Sequence, residues 1–255
     1  MSLLKIDGLS QKFGGLMAVS EFDIELRDGE LVGLIGPNGA GKTTIFNLAS
    51  GFYQPTEGSI TFNGNPTAGL RPHQITAMGM ARTFQNIRLW HDMTVLDNIR
   101  IAQHHRLGYS VWDSFLRTKR YRASEDRIYT IAMKLLDAMG LEDYAEELPK
   151  NLPYGLQRRV EIARAMSIRP KLLLLDEPAA GLNSADVEDL IKLVRWIHEN
   201  FDITIWMIEH QMKVVTSLCQ WIKVIDFGAT IAEGTPEEIQ SNPKVIKAYL
   251  GDDNI

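Results

Sequence analysis

A glycine-rich stretch at residues 36–44 has the residue types and the spacing that bind phosphate groups. It reads Gly36, Pro37, Asn38, Gly39, Ala40, Gly41, Lys42, Thr43 and Thr44. The glycines let the backbone bend around an anion without a Cβ in the way, so that amide N–H groups can point inward. Lys42 can reach the β- and γ-phosphates of a nucleotide, and the Thr43 hydroxyl can ligate Mg²⁺. The stretch therefore predicts that the chain binds a nucleoside triphosphate.

Four further side chains could complete a hydrolytic site. Asp176 can hold Mg²⁺ through water, and Glu177 can polarise an attacking water as a general base. Gln85 and His210 each follow an apolar run that predicts a core strand, so we expect both near the γ-phosphate. A lone histidine is more often structural than catalytic, and His210 becomes a candidate only in company with the other three.

The elements around these residues predict an α/β fold. An apolar run at 31–35 precedes the phosphate loop as a buried strand, and residues 45–48 continue the loop as a helix. Four leucines at 172–175 predict a buried parallel strand with the two acids at its carboxyl end, where ligands bind in open α/β sheets. Residues 203–208 predict a further buried strand that ends at Glu209 and His210.

The flanking regions predict an antiparallel part and a helical part. Residues 4–9 and 22–26 alternate apolar and polar side chains, which is typical of half-exposed antiparallel strands, and a loop at 11–15 between them carries Phe13. From residue 86 to about 169 the pattern is helical. We expect one helix from Val95 to His104 with Thr94 as its N-cap. A second should run from Ser124 to Met139, with Ser124 as N-cap and Gly140 as C-cap.

The segment between those two helices, residues 106–122, is rich in basic and aromatic side chains. Such charge runs are usually solvated, and a solvated amphipathic segment is one interpretation. The other is a docking surface for another protein or for lipid headgroups.

Composition narrows the function classes. The chain has 255 residues, 45% of them hydrophobic, and a net charge of -5, which argues against a dedicated nucleic-acid binder. The single cysteine, Cys219, permits no disulfide framework and fits a reducing compartment as a small core residue. The first seven residues do not resemble a signal peptide, and no apolar run approaches the roughly 20 residues of a spanning helix. We expect a cytosolic protein, or one attached to a membrane through partners.

Taken together, these residues resemble the ATP-binding cassette ATPases over essentially the whole chain. In the family's order, the matches are the Walker A loop at 36–44, the Q-loop glutamine Gln85, Walker B with its catalytic glutamate at 172–177, the D-loop at 180–183 and the switch histidine His210. Phe13 fits the aromatic residue that stacks on adenine, with a plain core residue as the alternative.

The resemblance implies a P-loop NTPase of the ABC ATPase type with ATP and Mg²⁺ as cofactors. It implies one domain over residues 1–255, in which 1–85 and 166–255 form a RecA-like catalytic core with an antiparallel β subdomain. Residues 86–165 would form a helical signature subdomain. Lys42, Gln85, Glu177 and His210 would be catalytic, and Thr43, Gln85 and Asp176 would hold the metal.

Finer motifs resemble the ATP-binding subunits of branched-chain amino-acid importers. They are residues 82–89, 155–164, 179–183 and 248–251, together with the long insertion before the signature. The resemblance implies a second ATPase subunit, two membrane permeases and, indirectly, a periplasmic or extracellular solute-binding protein. The chain would be a peripheral protein on the cytoplasmic face of the inner membrane.

Three alternatives remain at this point. The nearest is an importer of another polar solute, such as urea or an amide. A soluble cassette that acts on ribosomes or DNA would usually carry two cassettes, or long basic or coiled-coil additions, whereas this chain has one cassette and an acidic balance. A P-loop kinase would give no reason for Gln85, the signature region or His210.

The signature at residues 152–159 departs from the family's pattern. That pattern is Leu-Ser-Gly-Gly-Gln, or often Leu-Ser-Tyr-Gly-Gln in this branch, but here Pro153 replaces the serine and Leu156 the glutamine, while Tyr154 and Gly155 match. In the family, the serine contacts the γ-phosphate held by the opposite subunit. Pro153 has neither a hydroxyl nor an N–H, although we expect it at the first position of a helix whose dipole and Gly155 N–H can face a phosphate. We hypothesise that the working assembly is a heterodimer with unequal sites. The alternative is that Gly155 and the helix N-terminus suffice and both sites work alike, and the sequence leaves both a homodimer and a heterodimer open.

Overall fold

The computed structural model describes residues 2–106 and 108–250. Of the sequence predictions, Gly251 in the 248–251 motif and residue 107 in the basic segment lie outside the described residues. The described residues pack as two compact units. Of the described residues, one unit comprises 2–85 and 171–250, and the other comprises 86–106 and 108–170.

The first unit carries the strands and six of the helices. Its strands are β1 (Ser2–Phe13), β2 (Leu16–Arg27), β3 (Leu31–Ile35), β4 (Glu57–Phe62), β5 (Asn65–Pro66), β6 (Met80–Arg82), β7 (Leu172–Asp176), β8 (Thr204–Ile208), β9 (Trp221–Asp226) and β10 (Ala229–Gly234). Its helices are α1 (Lys42–Ala49), α2 (Pro72–Ala77), α7 (Ser184–Asn200), α8 (Met212–Leu218), α9 (Pro236–Gln240) and α10 (Pro243–Leu250). The second unit holds α3 (Val95–Ala102), α4 (Val111–Phe115), α5 (Lys119–Ala138) and α6 (Tyr154–Met166).

Two sheets build the first unit. The core sheet has the order β10-β9-β3-β8-β7-β6; all its pairs are parallel except that of β10 with β9. The second sheet, β2-β1-β4-β5, is antiparallel, as the alternating residues predict. The predicted buried strand of four leucines is confirmed as β7, in which every residue is buried. Because its neighbours in the sheet are parallel, the carboxyl ends of β3, β6, β7 and β8 lie along one edge.

A hydrophobic core joins α1 to both sheets. Trp206 of β8 is fully buried; its ring stacks at a centroid distance of 6.4 Å on Phe22 of β2 and lies 4.8 Å from that of Phe46 in α1. On β3, a Cβ at Gly33 would lie 3.0 Å from the sulfur of Cys219, so the absence of a side chain there lets the cysteine pack against the strand. Cys219 is buried, as expected for a core residue.

Three of the four α-helices described in the second unit begin after a residue whose side chain caps the helix. The predicted N-cap Thr94 is confirmed, since its hydroxyl accepts the Asp97 N–H at 3.1 Å. The prediction that Ser124 begins a helix is wrong: α5 starts five residues earlier, where the Thr118 hydroxyl accepts the Tyr121 N–H at 3.3 Å. Residues 119–123 contain no glycine or proline, so helix formation extends back to that cap.

Three other local predictions need correction by one or a few residues. Phe13 is not in a loop but is the last residue of β1, because the β1–β2 pairing continues as far as the Phe13–Leu16 pair. Gly140 lies one residue beyond the C-cap Met139 and takes φ +64, the left-handed conformation that terminates a helix. Pro153 is the N-cap of α6 and not its first residue, which is Tyr154. None of the described helices is long and apolar enough to cross a membrane.

Candidate active site

The phosphate loop links the end of β3 to the start of α1. Two of its glycines are required by close backbone neighbours. A Cβ at Gly36, which has φ +154, would lie 2.1 Å from the Ile225 carbonyl oxygen, and one at Gly41, with φ +103, would lie 2.5 Å from that of Ala18. The first amide N–H groups of α1 have no intrahelical partner, so the loop presents donors and a helix N-terminus to an anion.

Lys42 lies at the centre of this loop. Its ammonium donates to the carbonyl oxygens of Gly36 at 2.6 Å and of Pro37 at 2.8 Å, and the side chain is 5% exposed. Burial lowers the pKa of Lys42, while the negative charges of Glu177 and Asp176 act in the opposite direction. A phosphate oxygen would add the attraction of its negative charge to an ammonium that donates here to neutral carbonyl oxygens.

A cavity of about 500 Å³ opens over the loop, within the range of ligand pockets. It is lined by Phe13, Leu16, Met17, Ala18, residues 38–44, Gln85, Glu177 and Phe227. The Phe13 side chain is 43% exposed and meets Tyr53 edge-on at a centroid distance of 5.3 Å, so its face is available for another ring. The structure thus brings an aromatic platform, the phosphate loop and two of the predicted polar residues to one cavity.

Glu177 connects Gln85 and His210. The Gln85 amide nitrogen donates to Glu177 Oε2 at 2.6 Å, and His210 Nδ1 lies 3.8 Å from the same oxygen. Glu177 has φ +46, a left-handed conformation that is costly for a residue with a Cβ, and its N–H donates to the Ile208 carbonyl at 2.9 Å. A strained residue fixed by a neighbouring strand is typical of catalytic groups.

Asp176 is held by an arginine that the sequence reasoning assigned no role at the site. Arg82, at the end of β6, donates to Asp176 Oδ2 at 2.7 Å, and the two side chains are almost completely buried. The other arm of the guanidinium donates to Asn47 Oδ1 and Ser50 Oγ, both at 2.8 Å. The only signal in the sequence was an arginine within a predicted core strand, which does not identify its partner.

Glu209 is a second residue whose role sequence reasoning missed. It is fully buried and accepts backbone N–H groups from Ala179 at 2.7 Å, His210 at 3.0 Å and Gln211 at 3.3 Å. Burial raises the pKa of Glu209, although the three N–H groups favour its charged form. The carboxylate ties the loop after Glu177 to the loop that carries His210.

The predicted metal ligands supply oxygen donors. The Thr43 hydroxyl and the Asp176 carboxylate are hard ligands of the kind that Mg²⁺ prefers, and nucleotide sites usually need only one or two carboxylates beside the phosphates. Within the described residues, no cluster of three or more His, Cys, Asp or Glu side chains could hold a metal by itself. The donor set therefore fits a magnesium ion that arrives with a nucleotide better than a resident metal.

The signature residues belong to the second unit, at the start of α6. Tyr154 is partly exposed, and the Arg158 guanidinium, which donates to the Tyr154 hydroxyl at 3.4 Å, also lies 5.9 Å from the ring centroid. Arg158 forms a buried ion pair with Glu161 at 2.7 Å. As Pro153 offers no side-chain cap, the Gly155 and Leu156 N–H groups of the first turn receive no help from it.

Known proteins resemble this chain at both the sequence and the fold level. The profile of a family described as ABC transporter matches residues 19–180, and that of the branched-chain amino acid ATP-binding cassette transporters matches residues 229–254. The branched-chain amino acid transport ATP-binding protein LivG of Salmonella typhimurium is 46% identical over 98% of both chains. BraF of Pseudomonas aeruginosa, described in the same words, is 45% identical over the same shares. A solved ATP-binding cassette of an ABC transporter has a TM-score of 0.86 and 30% identity, covering 98% of this chain and 100% of its own.

Proposed function

Because this chain belongs to the ABC transporter family, as an ATP-binding subunit of a branched-chain amino acid importer, we propose that it hydrolyses ATP with the residues that meet at its phosphate loop. One observation carries the assignment of roles: Glu177, bonded to Gln85 at 2.6 Å, faces the same cavity as the Lys42 loop. Binding groups and a candidate base are therefore adjacent to one substrate position.

Each residue has a role that follows from its chemistry. The loop at 36–44 and Lys42 bind the phosphates, and Phe13 stacks on the adenine. Glu177 accepts the proton of the attacking water, while Gln85 and His210 hold its carboxylate in place. Asp176, Thr43 and Gln85 would hold Mg²⁺, which neutralises charge on the phosphates when bound. Pro153, Tyr154, Gly155 and Leu156 form the signature surface toward the opposite subunit's ATP.

Membership of the family supports a proposal for the assembly. We propose a second ATPase subunit, two membrane permeases and a solute-binding protein that acts on the permeases, and we propose no nucleic-acid partner. The chain would lie on the cytoplasmic face of the inner membrane. Residues 1–85 and 166–255 would act as the catalytic core with its β subdomain, and residues 86–165 as the helical signature subdomain.

The decisive variant is Glu177→Gln, which keeps the side-chain shape but removes the base. We expect ATP to bind as before while turnover in the assembled transporter falls by roughly 10²–10⁴-fold, the usual effect of losing general-base help. Steady-state ATPase rates and nucleotide binding measure the two effects separately. Glu199→Gln, an exposed change on α7, is the matched control. Turnover within a factor of two of wild type would remove Glu177 from this role.

The transport assignment has its own experiment. A strain that lacks this chain should lose uptake of labelled leucine, isoleucine and valine while urea uptake is unchanged. The permeases should copurify with the chain from solubilised membranes. Loss of urea uptake alone would instead support the alternative of a urea or amide importer.

A further inference from the structure

The short helix α4 in the second unit and its C-cap residue Leu116 expose four large apolar side chains. Val111 is 84% exposed, Trp112 74%, Phe115 80% and Leu116 68%. At 100° per residue they fall within about 140° of the helix circumference, which leaves Asp113 and Ser114 on the remaining side. A continuous apolar face this exposed is unusual on a soluble surface and marks an interaction site.

Basic side chains follow this face directly in the chain. Arg117, Lys119, Arg120 and Arg122 are all exposed, and Asp113 is the only acidic residue between 109 and 122. The chain as a whole has a net charge of -5, so the segment is positive against an acidic background. We call the four apolar and four basic side chains together the Trp112 surface.

Local hydrogen bonds hold the Trp112 surface in this conformation. The Ser110 hydroxyl accepts the Asp113 N–H, and Asp113 accepts the Ser110 N–H at 2.9 Å, which closes a capping box at the start of α4. Asp113 also accepts the Thr118 hydroxyl at 3.0 Å, and these bonds lower the pKa of Asp113. Tyr109 donates to Glu125 at 2.6 Å. These hydrogen bonds therefore hold the turn that carries the exposed apolar side chains.

We propose that the Trp112 surface rests on the anionic face of a lipid bilayer. Tryptophan and other apolar side chains beside a run of arginine and lysine are the combination that inserts at the headgroup level. The cations complement lipid phosphates, and each basic residue near such a surface strengthens binding by about fivefold. The inference goes beyond the proposed function and needs neither nucleotide nor transport.

Vesicle flotation with the purified full-length chain tests the proposal. Mixed phosphatidylglycerol and phosphatidylcholine vesicles should carry the protein, and pure phosphatidylcholine vesicles should carry much less. Binding should fall in ~1 M salt, where the Debye length is about 3 Å. Equal binding to both vesicle types, or no binding to either, would overturn the proposal.

Two variant pairs separate the apolar and basic contributions. Trp112→Ala with Phe115→Ala should weaken vesicle binding at least tenfold, because the inserting area is lost. Lys119→Gln with Arg120→Gln should weaken it by about 30-fold, whereas the control Lys134→Gln with Lys192→Gln removes the same charge elsewhere and should change it less than twofold. If the two charge pairs weaken vesicle binding equally, binding depends on the total charge of the protein and not on the Trp112 surface. That result would overturn the proposal.

Two further measurements separate the competing occupants. Circular dichroism and ATP binding by each variant report whether it is folded, independently of lipid. If Trp112→Ala with Phe115→Ala does not fold, the comparison of vesicle binding by the two charge-pair variants still tests the proposal. The wild-type chain could instead bind no vesicles and form a dimer that Trp112→Ala converts to monomers. That result would assign the Trp112 surface to contact with a second copy of the chain. If the wild-type chain does not bind ATP, that result counts against the proposed function and not against the membrane proposal.

Discussion

At the scale of single residues, loss of one partner of the buried Arg82–Asp176 ion pair should destabilise the fold strongly. Both side chains are almost completely buried, and Arg82 also holds Asn47 and Ser50 at the end of α1. The pair therefore fixes the candidate metal carboxylate relative to the helix that begins at the phosphate loop.

Arg82→Met should lower the free energy of unfolding by about 3–5 kcal/mol, because it leaves the Asp176 carboxylate buried without its cation. Urea unfolding followed by circular dichroism measures the loss. The double variant Arg82→Met with Asp176→Asn should recover much of it, since neither member of the pair is then left buried and charged without its partner. A loss below about 1 kcal/mol in the single variant would show that water reaches Asp176.

Phe13→Ala should weaken ATP binding by about 1–3 kcal/mol, the range for stacking of an aromatic side chain on a base. Binding of inorganic triphosphate should hardly change, because the phosphate loop is untouched. Isothermal titration with both ligands makes the comparison, and Phe115→Ala, an exposed phenylalanine of the second unit, is the control. Equal losses for the two ligands would mean that Phe13 serves only in packing.

Residues whose role is local could be predicted from the sequence, and residues whose role depends on distant partners could not. The phosphate loop and the two acids, Asp176 and Glu177, lie at or directly after the ends of two strands. Each of those strands can be recognised from its own run of apolar residues. Arg82 meets Asp176 across 94 residues, and Glu209 meets Ala179 across 30, so only the strand order brings them together. The start of α5 was missed because Thr118 and Ser124 are both acceptable caps, and the choice depends on how residues 119–123 pack.

At the scale of elements, α6 begins with the signature and without a side-chain cap. Pro153 is its N-cap, and proline offers no acceptor to the first-turn N–H groups. This end of the helix is where the family's serine would approach the opposite subunit's phosphate.

Pro153→Ser with Leu156→Gln should raise the ATPase rate of the assembled transporter. The restored hydroxyl can bond to a charged phosphate, and such a bond is worth roughly 1.5–3 kcal/mol, or about 10–150-fold if it forms in the transition state. Pro153→Ala with Leu156→Gln lacks that hydroxyl and is the matched control. If neither variant is faster than wild type, the Gly155 N–H and the helix dipole already suffice.

At the scale of the whole molecule, each ATP site of a dimer would combine the Walker motifs of one subunit with the signature of the other. If the partner's signature follows the family pattern, the two sites would be unequal. Lys42, Gln85, Glu177 and His210 are all present here and would face the partner's signature, while the partner's Walker motifs would face Pro153 and Leu156.

Glu177→Gln in this chain should therefore reduce transport more than the matching change in the partner. Solute uptake into proteoliposomes with each singly altered transporter compares them. When Glu177→Gln, or the matching change in the partner, is combined with Pro153→Ser and Leu156→Gln, the two losses of transport should become similar. Equal losses in the unrepaired transporter would contradict a heterodimer with unequal sites.

The packing of Cys219 against Gly33 has a practical consequence. Cys219 is the chain's single cysteine, it is buried, and burial raises the pKa of its thiol, so it is a poor nucleophile. A cysteine introduced on an exposed residue would consequently react first with a maleimide or a spin label, without removal of the natural thiol. Trp112→Cys and Phe227→Cys would then place probes on α4 and beside the nucleotide cavity, and the distance between them could be followed through the ATP cycle.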